Sequence, residues 1–586
     1  MLEKWLSRAA GLLVAALLVF LIAEEFGGWG GRLLLISHYI TLAGVLLWVT
    51  RAPRMSWSLA VFPIALVVFA SRIKHKLLAY PVYFWDLKFL VGQDQWDVLK
   101  HYAGALGAWS LVGAHVVVLF GIVLLFRAER LRIPFELRVR RPRALLLAGL
   151  GAALSLGAWQ WLLHEARTWL HPDLMGFRHP YAIFWVSSQA GRVELVPAPS
   201  PQARDIHAVS ANARSLPPES GKSKPDLILI LQESAMDPRM LSPAWRDEPR
   251  WDPMVQAGAL HGRLHVHVFG GGTWCSEFTS LVGLPTPALG VMGGYATYIL
   301  EGRVRHSLVS HLGALGYRTE SLYPGPGDFV NGGPFHRSLG FDSFLDFTHR
   351  TGFQGSYWNL TDQEVFETAL GRIERHRRTR PEQPLFLWVK TIRNHGPHGL
   401  DCGGRDFSSV DPLLEKAGFM PEENCALRDY LDRYDQALAG YGYLKAELKR
   451  RFPERDFEIL QFGDHQPTTT ETLLNSEGKP LLSLEERHIT YYASERVGPG
   501  PGHLPPVSPR VAALGQGTLD LAHLPAFWLE SLGLPLSPIL EQQLEAALVC
   551  QGAYPQEASS LGGTPACLQA ISEHHGALQA RGALGL

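Results

Sequence analysis

The sequence predicts an α-helical membrane domain followed by an α/β domain with a mostly parallel central sheet, and three observations predict it. Apolar runs crowd the first 165 residues, a Pro/Ser/Ala-rich stretch follows, and beyond Lys224 short β-rich runs alternate with helical patterns. The formal net charge of −1 over 586 residues offers no electrostatic footprint for nucleic acid, so no nucleic-acid partner is expected. The chain divides into a transmembrane domain (1–165), a juxtamembrane segment and linker (166–224), an α/β domain (225–535) and an Ala/Gly/Leu-rich tail (536–586).

Five apolar segments carry the first domain: Trp5–Ile22, Leu33–Val49, Trp57–Ser71, Ala103–Phe126 and Ala144–Leu163. A helix crossing a bilayer needs about 20 apolar residues, and flanking residues extend the shorter runs toward that length. Lys4 and Arg8 open the first span, and Arg51 and Arg54 separate the second from the third. A cluster from Arg127 to Arg143 separates the fourth from the fifth. Alternate loops are therefore basic, which places them in the cytoplasm. The expected location is the inner (plasma) membrane, multi-pass, with everything after Leu163 on the periplasmic side. Glu24-Glu25 in place of a small-residue cleavage site makes the first span an anchor rather than a signal peptide. The loop KHKLLAYPVYFWDLKFL, Lys74–Leu90, interleaves lysines and aromatics as a segment lying in the membrane interface does. The linker Val196–Lys224 has too little apolar surface to fold alone.

Within the α/β domain, three runs read as buried strands that end in polar residues: DLILILQES, PLFLWVKTIRNHGPH and DFEILQFGDHQP. Helical patterns at Leu360–Arg377 and Leu427–Arg451 lie between them, which implies a largely parallel sheet covered on both faces. In such sheets ligands bind at the carboxyl ends of the strands. Glu233, His395, Asp464 and His465 fall there. Carboxylates and imidazoles converging from different strands suit a single divalent ion, Mn2+ or Zn2+. An acid following one strand is usually a helix cap or a solvated loop residue; three strand ends so furnished are harder to explain that way.

These residues, with Thr273 in GGGTWCSEF, stand in the order of the alkaline phosphatase superfamily. The chain resembles its sulfatase-like membrane branch, the lipoteichoic acid synthases and related phosphoglycerol and phosphoethanolamine transferases. The Pro…Trp-Asp-Leu pattern at Pro81–Leu87 and the five-span architecture belong to the same resemblance, which covers about the first 535 residues. The resemblance implies an alkaline-phosphatase-like fold and a Thr273 nucleophile that is also a metal ligand beside Glu233, Asp464 and His465. It implies that His395 protonates the departing oxygen or holds the phosphate. The implied donor is a membrane phospholipid, and the implied acceptor an envelope polysaccharide or glycolipid. A hydrolase of the same fold and a non-catalytic lipid-binding regulator are the alternatives.

Cys275 lacks the Pro and Arg of the sulfatase Cys-x-Pro-x-Arg signature, so it is expected to be a packed free thiol, with Ser276 in the helix that begins there. An oxidising compartment permits two disulfides among Cys402, Cys425, Cys550 and Cys567, with the pairing open. The segment FVNGGPFHRSLGFD, Phe329–Asp342, carries Val330 and Gly332 where lipoteichoic acid synthases carry head-group-holding residues. Asn331, Arg337 and His398 are the substrate-binding candidates, and His336 is a further possible source of positive charge. His265 and His267, on one strand face, are expected to pack or to lie at the surface.

Overall fold

The computed structural model describes residues 2–78, 81–84, 86–87, 141–166, 178–189, 224–254, 260–347, 357–400, 402–475, 477–499, 508–515, 517–555, 564–580 and 584. These fall into two compact units, Met1–Gly191 with Gly290–Met292, and the remainder.

In the first unit, three helices are long and apolar enough to cross a membrane: Trp29–Thr50, Met55–His75 and Arg141–His164. They correspond to the second, third and fifth expected spans. The first expected span is helical over Leu2–Glu24, with a shorter apolar stretch at Leu12–Glu24. The fourth, Ala103–Phe126, lies outside the described residues, as does the basic cluster up to Arg140. Polar contacts join the helices: Ser155 Oγ donates to Ser37 Oγ (3.0 Å), and Arg72 Nε donates to Glu24 Oε2 (2.5 Å). Glu25 is fully buried because its carboxylate accepts the backbone N–H of Tyr181 (2.8 Å) and faces His179 Nδ1 (3.2 Å). In the Lys74–Leu90 loop, Asp86 closes a turn by accepting the Tyr83 N–H at 2.7 Å and pairs with Lys74 at 2.7 Å. The linker lies outside the described residues.

The second unit is built on an eight-stranded sheet in the order β4-β3-β5-β1-β6-β7-β2-β8. The strands are β1 (Asp226–Gln232), β2 (Leu260–His265), β3 (Arg318–Leu322), β4 (Ser343–Leu345), β5 (Leu385–Lys390), β6 (Phe457–Gly463), β7 (Ile489–Val497) and β8 (Thr518–Asp520). All pairings are parallel except those of β7, which runs antiparallel to β6 and β2. Every residue of β1, β5 and β6 is buried, as strands covered on both faces require. On one face the helices Asp362–Thr379 and Cys425–Arg451 pack Phe366, Leu370, Ile373, Tyr441 and Leu444 against Ile228, Ile230, Leu387 and Ile459. The first of these helices starts in a capping box between Thr361 and Glu364, which satisfies backbone N–H groups at both positions.

Beyond Ser537 the tail forms two helices, Pro538–Val549 and Pro565–Ala580, joined by a Cys550–Cys567 disulfide. Gln543 Nε2 on the first of them donates to the Gly283 carbonyl at 2.7 Å. Gly283 caps the helix Thr273–Val282, so the tail helps fix the far end of that helix. Cys402 pairs with Cys425, and Cys275, buried, belongs to neither disulfide.

Candidate active site

The neighbours β5, β1 and β6 carry their polar residues just past their carboxyl ends, and parallel register brings those ends to one rim. Glu233 follows β1, His395 follows β5, and Asp464-His465 follow β6. Two backbone features tighten the rim. Ser234 has φ +50, a left-handed conformation costly for a non-glycine residue; its N–H donates to Asp464 Oδ1 at 2.7 Å. Gly463 lies so close to the crossing chain that an added Cβ would stand 1.8 Å from the Ala235 carbonyl oxygen. The backbone that carries Glu233 therefore lies directly over the end of β6.

Thr273 enters from a separate element. It is the first residue of the helix Thr273–Val282, capped by Gly272 at φ +81, a left-handed turn that glycine adopts without strain. The Thr273 hydroxyl lies 3.2 Å from Glu233 Oε2 and 3.3 Å from His465 Nε2. His465 Nε2 is 3.5 Å from Glu233 Oε1 and 3.3 Å from Asp464 Oδ2. Ligands of a tetrahedral ion with bonds of about 2.0–2.1 Å are spaced about 3.3–3.4 Å apart. The four contacts, 3.2–3.5 Å with Glu233 using a different oxygen in each of its two, lie close to that spacing.

The donors are also in the right chemical state. His465 Nδ1–H donates to the Gln466 carbonyl at 2.9 Å, which leaves the Nε2 lone pair facing the cluster. Asp464 Oδ2 is buried and accepts no hydrogen bond. Burial, followed by the charge of Glu233, pushes the Asp464 carboxyl up to about 7. Two buried carboxylates facing each other in this way fit a cation between them. Glu233, Thr273, Asp464 and His465 could hold one divalent ion.

His395 is close enough to Glu233 and His465 to feel their charge. Its Nδ1–H donates to the Gly396 carbonyl at 2.6 Å, and its ring meets Trp358 edge-on with centroids 4.8 Å apart. Burial lowers its pKa, with Glu233 opposing the shift. The other candidates are engaged elsewhere. His398 Nε2 donates to the Asn394 carbonyl (3.0 Å), and its ring packs on Tyr430. Asn331, in a left-handed conformation, donates to the Thr297 carbonyl (3.0 Å) and Glu301 (2.9 Å). Arg337 is exposed, with its guanidinium over the Phe344 ring. His336 is fully buried, hydrogen-bonded to Ser321 Oγ (2.9 Å) and 3.4 Å from Glu277 Oε2. It is a core residue rather than a source of charge for a ligand.

Several contributors carry no sequence signal beyond adjacency to these residues. Lys390, the last residue of β5, is buried against Glu277 Oε1 (2.9 Å) and the Tyr323 hydroxyl (3.2 Å). This ties the helix of Thr273 to the sheet. Ser276 Oγ donates to the Asp464 carbonyl at 2.7 Å, and Asn394 Nδ2 to the Ser234 carbonyl at 3.2 Å. Trp274 stacks near Tyr295 and Phe329 and gives the threonine an aromatic flank.

Residues 225–495 match the Sulfatase family. A Haemophilus influenzae protein, itself uncharacterized, is 24% identical over 456 residues, covering 74% of this chain and 76% of that protein. A Rhizobium meliloti protein, provisionally named for cyclic β-1,2-glucan modification, is 24% identical over 454 residues. That match covers 72% of this chain and 64% of the relative, just under two thirds of its length. The integral membrane lipooligosaccharide phosphoethanolamine transferase A of Neisseria meningitidis aligns at 11% identity and a TM-score of 0.48, covering 88% of this chain and 95% of that one.

Proposed function

Taking residues 225–495 as a sulfatase-family domain, we propose that the protein is a membrane-anchored, metal-dependent phosphotransferase. It moves a phospholipid head group, phosphoglycerol or phosphoethanolamine, to an envelope glycan or glycolipid through a phospho-threonine diester. The observation that carries this reading is the convergence of the Thr273 hydroxyl, Glu233, Asp464 and His465 within 3.2–3.5 Å contacts around an Asp464 oxygen that accepts no hydrogen bond. A glycan acceptor is supported by the provisional designation of the Rhizobium meliloti relative. The membrane helices would keep the domain beside its lipid and raise the lipid's effective concentration. The basic residues in alternate loops of the sequence support a periplasmic side for that domain.

When bound, a divalent ion at this centre lowers the pKa of the Thr273 hydroxyl and offsets negative charge on the phosphoryl oxygens. Glu233 orients the hydroxyl, which loses its proton to solvent. Thr273 attacks phosphorus, the bond to the diacylglycerol oxygen breaks, and His395 gives that oxygen a proton. The acceptor hydroxyl then attacks the phospho-threonine diester and passes its proton to His395, and Thr273 regains a proton from solvent. Thr273 sits at a helix amino terminus, where the helix dipole favours the negative phosphoryl group.

The test is diacylglycerol release from Mn2+-containing liposomes of phosphatidylglycerol or phosphatidylethanolamine, supplied with envelope glycan as acceptor. Thr273→Ala should lower release by about 10^4-fold or more, as loss of a covalent nucleophile does. Equal release by wild type and Thr273→Ala, or none by wild type from either lipid, would overturn the proposal.

A further inference from the structure

The sequence leads one to expect packing or surface roles for His265 and His267. The structure places both beside Asp520. His265 is the last residue of β2, and Asp520, the last of β8, is its register partner in the parallel pair. His267, two residues on, shares the face. His265 Nδ1 lies 3.0 Å from Asp520 Oδ2, and His267 Nε2 lies 3.0 Å from Asp520 Oδ1. The two imidazole rings meet edge-on with centroids 4.9 Å apart. Asp520 and His267 are buried, and His265 is one-fifth exposed.

A cavity of about 420 Å3 opens on this cluster. Its wall includes His265 and Asp520 together with Arg263, Glu485, Glu486 and Tyr554. The cluster lies on the same carboxyl rim as Glu233 and Asp464, because β2 runs in the direction of β6 across the antiparallel β7. With strands about 4.8 Å apart, two strand spacings separate β2 from β6, roughly 10 Å. The two clusters share no residue.

We propose that His265, His267 and Asp520 form a second divalent-metal site, separate from the Thr273 centre. The set of two imidazoles and one carboxylate is that of a three-ligand zinc site, with the remaining position open to the cavity and available to water or an anionic group. Binding moves each ring proton to the opposite nitrogen, His265 Nε2 and His267 Nδ1, and leaves His265 Nδ1, His267 Nε2 and one Asp520 oxygen as the ligands. Asp520 Oδ1 also accepts the Ala522 N–H at 2.9 Å, which orients the carboxylate. The ordinary alternative is a hydrogen-bonded triad that holds protons only.

The full-length protein in detergent would be stripped with a chelator, reloaded with Zn2+ and assayed for bound metal after gel filtration. Wild type should retain two equivalents, Asp464→Asn one, and the double variant His265→Gln/His267→Gln one. The Thr273 centre then reports that the double variant is folded. Two equivalents in the double variant, or a single equivalent in wild type that the double variant keeps and Asp464→Asn loses, would overturn the proposal. Should the double variant lose both, anomalous diffraction from wild-type crystals at the zinc edge decides the matter. A peak among the three side chains sustains the site, and its absence beside an occupied Thr273 centre removes it.

Discussion

The two ends of the candidate active site are built on opposite terms. At the β1/β6 end, polar atoms are gathered without being satisfied: Asp464 Oδ2 accepts nothing, and the Thr273 hydroxyl and His465 Nε2 face carboxylates. Along Phe329–Asp342, polar side chains are already committed, Asn331 to Thr297 and Glu301, His336 to Ser321, and Arg337 to the face of Phe344. The first arrangement is completed by something brought from outside. The second is largely paired within itself, leaving only a buried contact of 3.4 Å between His336 Nε2 and Glu277 Oε2 without a hydrogen bond among these side chains, and it presents Phe329 beside Trp274. The difference teaches that one scaffold can hold, a short distance apart, a cluster left open to an added ion and a segment whose polar groups are mostly paired among themselves.

The comparison can be broken most directly at the unsatisfied end. Asp464→Asn, or removal of divalent ions by a chelator, should cost several kcal/mol of transition-state stabilisation, about 10^3-fold or more in turnover. Re-addition of Mn2+ or Zn2+ should rescue the chelated wild type and not the variant in a diacylglycerol-release assay; equal rescue of both would show that Asp464 is no ligand.

Lys390 couples the two ends, because its partner Glu277 also faces His336. Lys390→Met leaves Glu277 buried without its cation, and removal of one partner from such a pair costs about 3–5 kcal/mol. A thermal or denaturant melt should show that loss, and an unchanged midpoint would mean that the pair contributes nothing. Arg337→Ala should have the smallest effect. Its exposed guanidinium lies over the Phe344 ring and carries no ion pair among the described residues, so stability should stay within about 0.5 kcal/mol. Turnover should stay within about threefold; a larger fall, confined to one lipid, would restore Arg337 as a head-group ligand.

Much of the architecture was legible because burial on both faces writes itself as unbroken apolar runs. The strands after Asp226, Pro384 and Asp456 and the helices near Leu360 and Leu427 were readable for that reason, and their polar endings pointed to the rim. Thr273 was legible only through family resemblance, since a Gly-Gly-Gly-Thr turn by itself says nothing of what stands opposite it. The Lys390–Glu277–Tyr323 network was not readable, because it joins residues 67 to 113 positions apart. His265, His267 and Asp520 escaped for the same reason: β8 reaches β2 from more than 250 residues away. The tail looked featureless because its Ala/Gly/Leu-rich composition does not show what its helices pack against, although they bury Ile539, Leu540, Leu544, Ile571 and Leu578.

Cys275 gives the molecule a built-in reporter. Of the five cysteines, four are tied in two disulfides, and this one, 1% exposed, lies in the helix that begins at Thr273 with its sulfur 3.9 Å from the Gly293 and Gly294 carbonyls. The folded protein is therefore silent to a bulky thiol-alkylating reagent. Each molecule gains one reactive sulfur when the packing of that helix on Gly293 and Gly294 opens, so alkylation kinetics count openings of the nucleophile's own support without any introduced label.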